Sequence, residues 1–524
     1  MSLVERHATH GRAIRAGATS PRLRGFVGLT LALAGAIVAA VAAAIPHWDA
    51  AAGVALALVA ISAIWISGGA ATAVLGLMQP AAPRPDLPQD WHPRGSTAIL
   101  LTLCGEPAEP VARALADLRR GLDRLDLGDK APIFVLSDTA GAQRIAAETD
   151  ALAALVARGA IRYRRRAANT GRKPGNIADW LAEHGDAHAY MMVLDADSKM
   201  TADRVRRLIH LLETRPRAGL IQAGMTLVPA RSRFGRQQRL ASRLLSPNFG
   251  RGLAAWAGEC GNYWGHNAIM RVAAFRSAAH LPSLSGPAPF GGPPLSHDFI
   301  EAAWIRRAGW TVALDPDVRG SAEDGPQTLA EFHRRDRRWC QGNLQHVRFL
   351  GEPGLDPVSR LHLVAGILGY IAAPVWLILI ALIASGAASV TGALPLALIA
   401  AVLVLPKLCA LAFWLPRART GVRRRVILRA AMGELALSTL IAPLVMLRQT
   451  GAVLSVLTGR DCGWKSGRAP RIGLPRGLPE VAAGLSLIVL AGVAGPAAAV
   501  VWLLPVALPL VLAPAILPAL DASP

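Results

Sequence analysis

The sequence predicts an α/β domain built on a parallel sheet and inserted between transmembrane α-helices. Three observations predict it. Uncharged apolar runs of membrane-spanning length gather before Gln79 and after Asp356. The stretch between them has no such run and alternates short apolar segments with helical patterns, as strands and crossover helices do. Of 524 residues, 52% are hydrophobic and 17% charged, against about 25% charged in ordinary soluble domains.

Residues 1–25 form a basic N-terminus, with Arg6, Arg12, Arg15, Arg22 and Arg24 against Glu5. Residues 26–78 follow as a helix pair, Phe26–Ile45 and Ala51–Leu77. A bilayer core needs roughly 20 apolar residues in a helix, and both runs supply them. The first run is too long for a signal-peptide core, and a second span follows almost at once, so it reads as retained.

Residues 95–350 form the α/β domain. Thr97–Leu103, Pro132–Leu136 and Ala189–Leu194 read as buried strands. Ala108–Leu125, Ala142–Arg158 and Asn176–His184 read as helices. Residues 355–415 hold an interfacial segment and a second pair, His362–Ser385 and Leu394–Leu415. Residues 416–480 read as cytoplasmic or interfacial. A third pair, Val481–Leu504 and Pro505–Leu520, ends the chain at 481–520.

Arginines flank the spans on one side: at the N-terminus, then Arg417, Arg419, Arg423, Arg424, Arg425 and Arg429, then Arg460, Lys465, Arg468, Arg471 and Arg476. Those segments should be cytoplasmic. The turns at 46–50 and 386–393 are almost free of basic residues and should face the other side. Residues 430–457 lie between two basic segments and contain Glu434, Pro443 and Arg448. A single crossing would put their ends on opposite sides, so an interfacial helix or a re-entrant pair is expected. The count is six spans, with eight as the alternative.

The net charge of +21 admits a nucleic-acid binder, but basic residues placed at membrane flanks speak against it. High apolarity excludes a disordered chain. Five cysteines in so long a chain exclude a disulfide scaffold.

Ligands of parallel sheets bind at the carboxyl ends of strands. Ser137-Asp138 ends the second strand and Asp195-Ala196-Asp197 the third. In extended backbone, residues i and i+2 point the same way, so Asp195 and Asp197 can face one divalent cation. Alone, such a pair is as readily a turn or a cap. Asn169-Thr170-Gly171-Arg172-Lys173-Pro174-Gly175-Asn176 is a glycine-rich basic loop opening a helix, suited to a diphosphate or to an ordinary capped turn. Ser296-His297-Asp298 precedes another helix, where Ser and Asp are also favoured as caps. Arg334-Arg335-Asp336-Arg337-Arg338-Trp339 is a dense basic run with a large ring inside it.

Taken in order, Asp138, Asp195-Ala196-Asp197, Asp298 and Arg335-x-x-Arg338-Trp339 between membrane helices resemble the processive membrane glycosyltransferases of family 2, the cellulose-synthase group. The finer strings resemble the branch that makes the backbone of osmoregulated periplasmic glucans. They are Val135–Asp138, Arg162–Arg166, Asn169–Asn176, Val193–Ser198, Gly261–Ile269, Leu295–Phe299 and Arg335–His346. Gly459–Trp464 sits where related synthases have a loop that closes over the donor. One departure is Thr102-Leu103-Cys104-Gly105-Glu106, where the family's Asn contact is missing though Glu106 remains.

The resemblance implies a GT-A-type, Rossmann-like cytoplasmic domain in a bacterial inner-membrane protein. It implies inverting transfer from UDP-glucose to a growing β-1,2-linked glucan, with Mg²⁺ or Mn²⁺. Asp298 is the candidate base. Asp195 and Asp197 are the candidate donor and metal carboxylates, and Asp138 and Glu106 would contact uridine. Lys173 and Arg338, with Arg335 nearby, would oppose the diphosphate charge. Trp339 would stack on the acceptor, with His266, Asn267 and Trp264 beside it. Acyl carrier protein, periplasmic glucan-processing proteins and the lipid bilayer are the implied partners, and nucleic acid is not. A lipid-linked sugar transferase and a nucleotide-binding transporter remain as alternatives.

Overall fold

The computed structural model describes residues 20–80, 87–88, 90–278, 281–462, 477–495 and 497–523. The expected basic residues Arg6, Arg12, Arg15, Lys465, Arg468, Arg471 and Arg476 lie outside them, as do Gly463 and Trp464.

Two apolar helices open the described chain, α1 (Pro21–Ala43) and α2 (Ala50–Met78). Ser20 and Asp49 cap them, accepting from Leu23 N and Ala52 N. The α/β domain follows: β1 (Thr97–Leu103), α3 (Ala108–Arg124), β2 (Ile133–Ser137), α4 (Ala142–Ala157), β3 (Arg162–Arg165), α5 (Arg172–His184), β4 (Tyr190–Asp195), β5 (Lys199–Met200), α6 (Ala202–Glu213), β6 (Ala218–Ala223), β7 (Thr226–Leu227), α7 (Arg233–Ala257), β8 (Ala268–Arg271), α8 (Val272–Arg276), α9 (His297–Arg307), β9 (Thr311–Asp315), β10 (Ser321–Glu323) and α10 (Leu329–Gln345). The membrane part continues with α11 (Pro357–Ala384), α12 (Leu394–Trp414), α13 (Gly421–Leu457), α14 (Leu478–Val493), α15 (Ala497–Val511) and α16 (Ala513–Asp521).

Seven strands form one sheet in the order β3-β2-β1-β4-β8-β6-β9, and β5-β10-β7 form a small second sheet. β1 pairs in parallel with β2 and β4, in the expected crossover sense, while β8 runs antiparallel between β4 and β6. The central strands read as continuous apolar runs because both faces are covered. Val111, Leu115, Leu152, Val205 and Leu208 cover one face; Ile177, Trp180, Phe275, Ile300 and Leu363 cover the other. The carboxyl ends of β1, β2 and β4 therefore open together on one edge, at Leu103, Ser137 and Asp195.

The membrane helices are joined to this domain by close backbone approach. A Cβ on Gly252 of α7 would lie 1.8 Å from Thr72 O of α2, and one on Gly76 would lie 2.1 Å from Asn248 O. Asn248 Nδ2 donates to Ala73 O at 2.8 Å and Trp256 Nε1 to Thr72 Oγ1 at 3.2 Å. Small residues permit that approach, and the polar side chains lock its register. At the far ends, Thr391 N and Oγ1 donate to Ala44 O at 2.8 and 3.0 Å, so the two turns poor in basic residues meet.

Five described helices are long and apolar enough to cross a membrane, or six if the bent pair Val500–Val511 and Ala513–Asp521 counts as one. The chain is a multi-pass membrane protein. Two expectations are corrected. The last pair does not divide at Pro505; the chain turns at Ala494–Gly495, where a Cβ on Gly495 would lie 2.4 Å from Ala384 O, and again at Leu512. Residues 430–457 are no re-entrant pair but part of one continuous helix of 37 residues. Two of its charged residues are paired: Lys407 of α12 donates to Glu434, and Arg448 donates to Glu480 of α14 at 2.9 Å. Lys407 also sits inside a run read as an uncharged span. α13 packs on both the catalytic domain and the membrane helices: Ala431 clusters with Leu244, Leu444 with Phe234 and Leu329 but also with Ile380 of α11 and Leu487 of α14, and Val453 with Cys340 and Leu344.

Candidate active site

Asp195 ends β4 at the edge of the sheet. Lys173, in the first turn of α5, donates to Asp195 Oδ1 and, at 2.7 Å, to Gly265 O. Thr102 Oγ1 adds a bond to the same carboxylate oxygen at 3.3 Å. Burial alone would raise the Asp195 carboxyl, but Lys173, with His266 beyond it, outweighs burial and brings it to about 2. Burial, and next the charge of Asp195, push Asp197 above the ordinary carboxylate range. Arg335 Nη2 approaches Asp197 Oδ2 at 3.9 Å.

The loop entering α5 needs its glycines. Gly171 (φ 66°) and Arg172 (φ 57°) are left-handed, and a Cβ on Gly175 would lie 2.1 Å from Thr170 O. This tight turn places Lys173 against the end of β4.

Asp298 lies in the first turn of α9, half-buried, next to Gly265. Burial raises its carboxyl, Glu301 adds to the rise, and His297 opposes it. α10 crosses the start of α9 at Gly342, where a Cβ would lie 2.3 Å from Ser296 Oγ. That contact sets the α10 residues Arg335, Arg338 and Trp339 opposite Asp298. Trp339 is 48% exposed, an unusual state for a large ring.

Together these residues line a cleft of about 500 Å³, within the range of small-molecule sites. Glu106, Asp138, Lys173, Asp195, Asp197, His266, Asp298, Arg335, Arg338, Trp339 and Trp264 all reach it. Asn267 does not. It is buried in a left-handed conformation (φ 49°), its Nδ2 donating to Ser321 Oγ at 3.2 Å to hold β10.

A second cavity of about 740 Å³ adjoins the first. Trp264, His266, Asp298, Glu323 and Trp339 line both, and the second runs on to Ala73 of α2, Tyr370 of α11 and Pro406 of α12. Tyr370 donates at 3.0 Å to Asp336, which faces away from the cleft on α10, so the helix is tied to the membrane part.

Residue patterns missed some of this site. Glu323 accepts from His266 Nε2 at 3.1 Å and, against the opposing effect of burial, raises that imidazole to about 8. Nothing around Ser321–Gly325 signals it, because the pairing exists only once β10 packs against the segment that leads into β8. Gln341 was part of a family string without a role; its Nε2 donates to Asp461 Oδ1 at 2.7 Å and its Oε1 accepts from Cys462 N at 2.8 Å. The segment after α13 thus begins against the cleft.

Profiles of two glycosyltransferase groups match the chain: glycosyl transferase family 2 over residues 99–278, and glycosyl transferase family group 2 over residues 190–416. Glucans biosynthesis glucosyltransferase H of Cereibacter sphaeroides is 39% identical over 505 residues, covering 88% of this chain and 83% of the relative. The chain belongs to this family. It is a family 2 glycosyltransferase, and its α/β domain is the GT-A-type domain of that family. The Vibrio cholerae relative of the same name is 40% identical over 454 residues, covering 80% of this glycosyltransferase but 63% of its own length. A mannosyltransferase from Pyrobaculum calidifontis, solved with GDP-Man and Mn²⁺, is 16% identical, with a TM-score of 0.45 over 73% of this chain and 98% of the other.

Proposed function

We propose that this enzyme polymerises glucose from UDP-glucose into the β-1,2-linked backbone of osmoregulated periplasmic glucans, and passes the product outward across the bacterial inner membrane. The observation that carries the reading is that two neighbouring cavities share the residues Trp264, His266, Asp298, Glu323 and Trp339. A cleft rich in carboxylates and cations shares Asp298 and Trp339 with a second cavity, lined mainly by α7 and the α/β domain and bordered by Ala73, Tyr370 and Pro406 of the membrane helices. The names and identities of the relatives supply the sugar and the polymer class.

In this reading Glu106 and Asp138 face the uridine, while Lys173, Arg335 and Arg338 oppose the diphosphate charge. Guanidinium groups suit bidentate contacts with phosphate oxygens. Asp298 accepts the proton of the acceptor hydroxyl as that oxygen attacks the anomeric carbon and UDP leaves. A carboxylate also tolerates the positive charge that develops there. Trp339 offers its ring face to the acceptor sugar.

Asp195 and Asp197 fit a divalent cation: hard oxygen donors two residues apart, facing one cleft, with like charges that a cation would relieve. Bound Mg²⁺ or Mn²⁺ would neutralise charge on the leaving diphosphate.

The catalytic domain is assigned to the cytoplasm, on the side of the flanking arginines. α13 is assigned an interfacial course because basic residues lie at both its ends, though its length and composition would also let it cross. Acyl carrier protein and periplasmic glucan-processing proteins are candidate partners by family, to be tested by co-purification.

The test uses vesicles holding the purified enzyme, labelled UDP-glucose and Mg²⁺ outside. The reading expects polymer of β-1,2 linkage inside the vesicles. Product confined to the donor side refutes export, and short lipid-linked product refutes polymerisation.

A further inference from the structure

The run Arg162-Tyr163-Arg164-Arg165-Arg166 takes no part in the reaction described. It forms β3 and the residue beyond it, at the edge of the sheet beside β2. With the two-residue period of a strand, Arg164 and Arg166 share a side. Both turn to the start of α5. Arg164 Nη2 donates to Asn176 O at 2.8 Å and Oδ1 at 2.6 Å.

Arg166 does more. Its side chain is 9% exposed. Nε donates to Asp138 Oδ1 at 2.8 Å and Nη2 to Asp138 Oδ2 at 2.9 Å, a bidentate fork. Nη2 also reaches Arg172 O at 3.1 Å. Nη1 donates to Thr170 O and to Asp179 Oδ2, both at 2.9 Å. A guanidinium has five N–H donors in a fixed plane, and these five bonds use them all. The group has nothing left to offer a ligand. Its charge is met by Asp138 and Asp179.

Its position explains the arrangement. Asp138 lines the cleft near Glu106, and Arg172 and Lys173 line it near Asp195. One buried planar group therefore fixes the end of β2 and the loop from Thr170 to Arg172 in a single frame. The left-handed Gly171 and Arg172, the least favourable backbone of the loop, are bracketed by the two carbonyls that accept from Arg166.

We propose that Arg166 is a positioning residue for the donor: without touching it, Arg166 sets the nucleobase side of the cleft, at Asp138, in register with the diphosphate side, at Arg172 and Lys173. This rests on the donor reading given above. Lysine cannot replace it, because three donors on a flexible stem do not reproduce a planar fork. The acceptor side, at Asp298 and Trp339, has no bond to Arg166, so the defect should fall on donor binding.

The test is donor saturation kinetics, with UDP-induced thermal stabilisation as a reading independent of turnover, on wild type, Arg166→Lys and Arg166→Met in detergent. Both variants should raise KM for UDP-glucose, by about tenfold or more for Arg166→Met and less for Arg166→Lys, with kcat changed under about threefold and a smaller UDP-induced shift in Tm. Should Arg166→Met fail to fold, Arg166→Lys decides. A folded variant whose KM and UDP-induced shift stay within twofold of wild type overturns the proposal, as does a loss in kcat alone. A wild type that responds to neither UDP nor UDP-glucose overturns the donor reading, and the positioning role with it.

Discussion

Replacing Lys407 by methionine probes the charges that α12 and α13 carry. Lys407 Nζ bonds Glu434 and, at 3.0 Å, Ser438 Oγ; the side chains of Lys407 and Glu434 are 18% and 3% exposed. Removing one partner of a buried pair costs about 3–5 kcal/mol, chiefly because the remaining charge is left uncompensated. Taking the lower end, Lys407→Met should lower the unfolding free energy by about 3 kcal/mol, a factor of roughly a hundred in the equilibrium. Changing both residues, Lys407→Met with Glu434→Leu, removes both charges and leaves side chains of similar size, which is commonly neutral or stabilising. The assay is a denaturant titration in detergent micelles of wild type, the single variant and the double. A single variant within about 1 kcal/mol of wild type, the range of exposed pairs, refutes the reasoning. So does a double variant as unstable as the single.

Three further outcomes follow from the geometry. Asp298 works as a base only when ionised, and burial has raised its carboxyl, so kcat should fall with decreasing pH through a value above the ordinary aspartate range; an acidic limb at or below about 3.9 in a pH–rate profile contradicts this. Gly342→Ala forces α10 away from Ser296, since its Cβ would meet the Ser296 backbone N at 2.6 Å, and should cost about tenfold or more in kcat and weaken UDP binding, because Arg335 and Arg338 move with the helix; unaltered kcat would show that the crossing does not set the site. Gly252→Ala drives a methyl group into Thr72 O at the α2–α7 crossing and should destabilise the protein by about 1–3 kcal/mol in the same denaturant titration; wild-type stability would mean that the crossing gives way freely.

Much of the catalytic cleft was legible because its signals are local. Asp195 and Asp197 come at the end of a short apolar run that reads as a buried strand, and Lys173 opens a helix directly after a glycine turn. Trp339 stood out because nothing in a charged run covers a ring. What was not legible depends on partners far apart in the chain. Glu323 meets His266, and Lys407 meets Glu434, only after the elements carrying them have packed. An isolated charge in a span reads as a cost, so α13 looked unlike one continuous apolar helix until its partners were seen. Asn267 shows the opposite error: it stands in a family string beside His266, yet a left-handed backbone turns it into the interior. Apolarity alone does not mark where the third helix pair divides, and the chain turns not at Pro505 but where Gly495 lets two helices touch.

Asp298 is the proposed base of the transfer, and the donor contacts lie apart from it at Asp138, Lys173 and Asp195. Purified wild type and Asp298→Asn, given labelled UDP-glucose and Mg²⁺, test this most directly when polymer formation and UDP binding are measured on the same samples. Asp298→Asn should bind UDP as wild type does and form no polymer above background. Polymer formation at the wild-type rate by Asp298→Asn would contradict that role.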